Sequence, residues 1–178
     1  MSFVSKLATV INTFRGAQAN ACSPHTSMTK MATLAFRFPE LQERMVENLH
    51  HRISTGSLTV KDLIKQAMVE KDLWPVAEKY IIRTAGAHLE AVEALAKYLR
   101  SDESTELVVN IGSQDHPLYE VSNFYQERQW SRNILISISA VTGSKDLRLR
   151  IIKLLEQALP VKQTVEITRQ LTDHKINS

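Results

Sequence analysis

Glu47 and His50 form the only Glu-x-x-His of the chain. On a helix that spacing puts a carboxylate and an imidazole on one face, the unit from which di-iron carboxylate bundles are built. Such a bundle needs a second copy of the motif and further inward glutamates, and no second copy exists. His51 also lies one helical turn from Glu47, so the group reads as a surface Glu–His pair. Cys22 and His25 offer a thiol and a base, but nucleophilic catalysis requires the base to be held against the sulfur, and both lie in a small, polar stretch. Ser113, Asp115 and His116 share a loop without the arrangement of a triad, and Asp115 is better placed as an N-cap ahead of Pro117. His88 falls on an apolar stripe four residues before Val92, the position of a hydrogen-bonded core-edge histidine. The chain has five glycines, never close enough to cradle a pyrophosphate, and neither His-Glu-x-x-His nor Gly-x-Ser-x-Gly occurs. No catalytic residue, cofactor or metal is assigned, and the motif-bearing enzyme classes lose ground.

Binding chemistry has two candidates. Lys145, Arg148, Arg150 and Lys153 share one helical segment and suit phosphates or another anionic partner; a solvated face is the plainer reading. Residues 59–84 outline a helix–turn–helix, but their turn, KDLWP, lacks the expected glycine, and the second helix offers only Lys79 and Arg83 as readers. The other candidate is the N-terminus. No carboxylate precedes Glu40, whereas Lys6, Arg15, Lys30 and Arg37 do. Within residues 3–15, Phe3, Leu7, Val10 and Phe14 form a stripe at helical spacing. A basic, acid-free amphipathic helix suits a mitochondrial presequence, a membrane surface or a protein partner.

The elements that must position these residues read as helices. A chain of 178 residues with 43% apolar and 23% charged residues makes one folded domain with a substantial core. Five glycines and five prolines are few for a β-meander. Stripes at Met28, Met31, Ala35 and Phe38, then Leu41, Met45, Leu49 and Ile53, then Val60, Leu63, Ile64, Ala67 and Met68, mark successive amphipathic helices. Val92, Leu95, Ala96 and Leu99 mark another. Pro39 and Pro75 suit first turns, and Thr59 and Ser144 suit N-caps. Leu147, Ile151, Leu154 and Ala158 form the inner face after Ser144. Pro160 opens a last helix with Val161, Val165 and Leu171. Two segments are ambiguous. Residues 107–111 are β-branched between polar flanks. Residues 134–142 alternate like a strand, yet Trp130, Ile134, Ile138 and Val141 also fit a helix that Gly143 stops, and the helix is the favoured reading.

The expectation is an all-α fold. It is either an irregular multi-helix bundle or HEAT-like antiparallel helix pairs, with minor β structure confined to 107–111 and 134–142. Residues 1–26 read as a basic amphipathic helix plus linker, the linker being 16–27, and residues 27–178 as one helical domain. The charge is uneven: residues 1–39 carry 4 basic and 0 acidic groups, 40–125 carry 9 and 14, and 126–178 carry 9 and 5. A single cysteine excludes an intrachain disulfide and suits the cytoplasm or another reducing compartment; the mitochondrial matrix is the alternative if the acid-free start is a presequence. No apolar run reaches the length of a transmembrane helix. The functional expectation is a helical interaction protein rather than an enzyme: an adaptor, scaffold or accessory subunit with a protein partner. The alternatives are a nucleic-acid-associated protein using its basic C-terminal third, contact with a membrane surface through residues 3–15, and an enzyme whose site carries no recognisable motif.

Overall fold

The computed structural model describes residues 3–99 and 118–158, with side-chain detail for most of them. Every regular element among these is helical: α1 (Phe3–Cys22), α2 (Met28–Arg37), α3 (Gln42–Ser54), α4 (Val60–Val69), α5 (Trp74–Arg83), α6 (His88–Leu99), α7 (Leu118–Val141) and α8 (Lys145–Gln157). The expectations for residues 107–111, for Ser113, Asp115 and His116, and for the helix after Pro160 lie outside the described residues.

Alternate helices stack. α1 packs on α3, α3 on α5, and α5 on α7; α4 packs on α6, and α6 on α8. α2 sits in the second row against the 3-10 turn Lys71–Leu73. One apolar cluster runs through both rows, from Ala17 to Ile151. Trp74 and Trp130 stack at 5.2 Å between α5 and α7, and the Trp74 indole N–H donates to the Ala67 carbonyl at 2.6 Å.

One corner recurs. After α2, α4 and α5, a single residue (Phe38, Glu70, Thr84) leaves the helical region while its N–H still bonds back into the helix. A three-residue 3-10 turn follows, Pro39–Leu41, Lys71–Leu73 or Ala85–Ala87, and the next helix starts directly. The third residue of each turn (Leu41, Leu73, Ala87) is buried and donates its N–H to the carbonyl of the corner residue at 2.8–2.9 Å. The first two corners belong to a larger repeat. Ser27 caps α2 by accepting from the Lys30 N–H, and Thr59 caps α4 by accepting from the Asp62 N–H. From those caps through the corner to the following helix, the second unit repeats the first 32 positions later. Buried pairs keep that offset: Met31 and Leu63, Ala35 and Ala67, Leu41 and Leu73, Leu49 and Ile81. Few identities survive, so the repetition is in the backbone and burial pattern rather than in residue types.

The ambiguity at residues 134–142 resolves as the favoured helix and not as a strand: α7 runs to Val141, and Trp130, Ile134, Leu135 and Ile138 are buried at helical spacing. Local expectations do change. Val141, expected on that face, is 53% exposed. α7 does end before Gly143, but its terminal carbonyls are met by a side chain: Arg148 donates to the Ser139 and Thr142 carbonyls at 3.0 and 2.8 Å. The left-handed glycine is instead Gly56, with φ 74°, where α3 ends. Finally, the expected linker 16–27 is helical as far as Cys22, with Ala17 and Ala21 buried. Gly16 alone was too weak a breaker to stop a helix whose next two turns gain tertiary contacts.

Candidate functional site

α1 is twice the length of α2, and this mismatch shapes the N-terminal surface. The chain reverses through residues 23–27, where the Thr26 hydroxyl donates to the Asn20 carbonyl at 2.6 Å. α3 then grips the turn. Asn48 donates to the Ala21 and Ser23 carbonyls at 2.9 and 2.8 Å, and Arg52 donates to the Thr26 carbonyl at 3.0 Å. Coming back along α2, Phe38 meets Phe14 edge-to-face at 6.0 Å. Phe14 is therefore level with the end of α2, and residues 3–13 lie beyond it, about 16 Å of helix at 1.5 Å per residue. Every described side chain from Lys6 to Thr13 is exposed.

Of the four residues proposed to contact a partner, Val10 is 65% exposed and Phe14 is half-buried against the core. The side chains of Phe3 and Leu7 lie outside the described set, although their backbone belongs to α1. Val10, Phe14, Ala17 and Ala21 follow one another along a single stripe. Its C-terminal half is packed on α2 and α3, and its N-terminal half is uncovered among the described residues. Ile11, 43% exposed, widens the open half. Lys6, Arg15 and Arg37 are exposed, as is Glu40 on the corner after α2. Sequence spacing identified the stripe but missed Ile11, and it placed Phe38 on the face of α2 and Arg37 among the N-terminal cations without joining either to this surface. Phe38 reads as one more core position of α2, and only the residue-before-proline restriction at Pro39 hints that the chain turns there.

The proposed anionic-partner residues on α8 are divided in their roles. Arg148 is committed to the carbonyls at the end of α7. Arg150 is paired with Glu93 of α6 at 3.3 Å. Lys145 and Lys153 are exposed. A shallow open groove is lined by Asp146, Leu149, Arg150, Lys153, Leu154 and Gln157, one stripe of α8. The two readers of the helix–turn–helix outline are also engaged: Lys79 and Arg83 hydrogen-bond Glu43 of α3, Arg83 through both terminal nitrogens. Arg83 first, then Lys79, holds the Glu43 carboxyl below the usual carboxylate range.

Glu47, His50 and His51 are exposed on α3. Cys22 is a free, exposed thiol with its sulfur 3.9 Å from the Arg44 guanidinium, and the His25 backbone N–H donates to the Ser23 hydroxyl. His88 is buried, with its Nε2 3.2 Å from the Ile82 carbonyl. Among the described residues no three His, Cys, Asp or Glu side chains gather closely enough to hold a metal, and no helix is long and apolar enough to cross a membrane. No protein-family model, curated protein or solved structure matches the chain.

Proposed function

We propose that this chain is a helical interaction protein: an adaptor, scaffold or accessory subunit that works inside a larger assembly. The observation that supports this reading is the alternate stacking of helices built on a repeated helix–corner–helix unit. Stacked helical repeats bury a continuous core between neighbours while presenting an extended outer surface, and that surface is what such folds use for recognition. The first helix of the stack adds an apolar stripe that its own neighbours cover only in part. Neither feature builds a reaction centre; both favour docking. A reducing compartment remains the proposed setting.

The test is the native size of the protein. A chain of 20.2 kDa that belongs to an assembly elutes from a gently lysed source well above the monomer position, and high salt or mild denaturant returns it to the monomer. Elution at the monomer position in native lysate, at endogenous abundance, overturns the reading.

A further inference from the structure

We infer that the ledge between the overhanging half of α1 and the α2–α3 corner receives an amphipathic helix with acidic flanks, supplied by another protein. The inference rests on the interaction reading above and names the partner's chemistry. Shape is the first reason. The roof of the ledge is about three turns of α1, and its inner end is closed by the Phe14–Phe38 pair. The second reason is continuity. Phe3, Leu7, Val10, Phe14, Ala17 and Ala21 are spaced alternately by four and three, the pattern of a helix-on-helix seam. The C-terminal part of that seam packs on α2 and α3, so the open part has the form of a surface that packs on helices.

Charge is the third reason, and it selects among occupants. At ~100° per residue, Lys6 falls just outside the stripe on one side and Arg15 just outside Ile11 on the other, and Arg37 precedes Phe38 in the chain. α1 carries no carboxylate, and of the two carboxylates at the α2–α3 corner, Glu40 and Glu43, the second is paired with Lys79 and Arg83 of α5. A helix whose apolar stripe is edged by Asp and Glu complements that rim. A second α1 would set Lys6 and Arg15 against like charges. A flat bilayer is disfavoured by geometry, because the open stripe faces the side on which α2 and α3 lie.

The probes are two fluorescent helical peptides of about 16 residues, one with a leucine stripe edged by Glu and the other edged by Lys. They are titrated into the full chain. The Glu peptide is expected to bind saturably, the Lys peptide not. Val10→Asp, at an exposed site, should weaken Glu-peptide binding at least about tenfold with an unchanged melting temperature, and Lys6→Glu/Arg15→Glu should do the same by removing the rim charge. Binding should weaken as salt rises from about 50 to about 500 mM. No binding by either peptide, equal binding by both, or Glu-peptide binding indifferent to all these substitutions overturns the inference. So does self-association, or co-sedimentation with phosphatidylcholine/phosphatidylserine vesicles, that Val10→Asp abolishes. If the native assembly survives Val10→Asp, the interaction reading stands and this surface falls.

Discussion

Asn48 is the residue on which the first helix depends. Buried in α3, it gives both amide hydrogens to carbonyls at and just beyond the end of α1, groups that a helix terminus leaves without partners. Asn48→Ala removes both bonds and strands the Ala21 carbonyl, while the Ser23 carbonyl keeps the Thr26 N–H, at an expected cost of about 1–2 kcal/mol. Urea unfolding checks this, and a loss under about 0.5 kcal/mol would show that water replaces the amide freely. Glu43 makes a different prediction. Its two cationic partners lower its pKa in the folded state. A depressed carboxylate contributes stability above its unfolded pKa and loses that contribution as pH falls through the folded value. The Glu43→Gln variant and the parent should therefore converge in stability as the pH drops below the ordinary carboxylate range. The effect at neutral pH is small, because the ion pairs are exposed. A gap between the two proteins that widens in acid would contradict the assignment.

At the scale of the element, α1 is a helix with a conformational weakness in its middle. Gly16 is helical, and a Cβ built there meets nothing within 4 Å. Gly16→Ala should stabilise the protein by about 0.5–1 kcal/mol through reduced unfolded-state freedom. A lower melting temperature would mean that α1 needs to bend at this point. α4 begins with a cap that both accepts from the Asp62 N–H and donates to the Asp62 carboxylate. Thr59→Ala should cost about 1 kcal/mol, and Thr59→Ser should recover most of it. These elements were legible for an identifiable reason. Thr59, Ser144, Pro39 and Pro75 are local signals whose action is complete within one turn of chain. Gly16 misled because its local cost is smaller than the packing of Ala17 and Ala21, which lies elsewhere in the fold.

For the whole molecule, stacked rows imply graded protection. Each helix touches mainly its neighbours, so opening is expected to begin at the ends of the stack. Amide hydrogen exchange should be fastest over residues 3–13, next fastest in α8, and slowest in α4 and α5. Ile151 is the one fully buried side chain of α8, whereas α4 and α5 bury Leu63, Ile64, Val76 and Ile81. Uniform exchange across all helices would mean a globally cooperative core instead. Deleting residues 1–26 should lower the melting temperature, because it removes Ala17 and Ala21 from the core and takes the Ala21 and Ser23 carbonyls from Asn48 and the Thr26 carbonyl from Arg52.

The amino-acid sequence by itself determined that the chain is helical and set most faces and caps, because 3.6-residue periodicity and capping act within a dozen residues. It also marked Phe3, Leu7, Val10 and Phe14 as one stripe. Tertiary structure alone decided how that stripe is divided. Where α1 passes the end of α2 depends on the length of a different helix and on a turn held by Asn48 and Arg52, 25 to 27 residues away in the chain. The repeat from Ser27 to Thr59 was hidden for the same kind of reason. Helix packing conserves burial and backbone path, and Met31 and Leu63 serve one position equally well, so the repetition shows in the fold although the residues that build it differ.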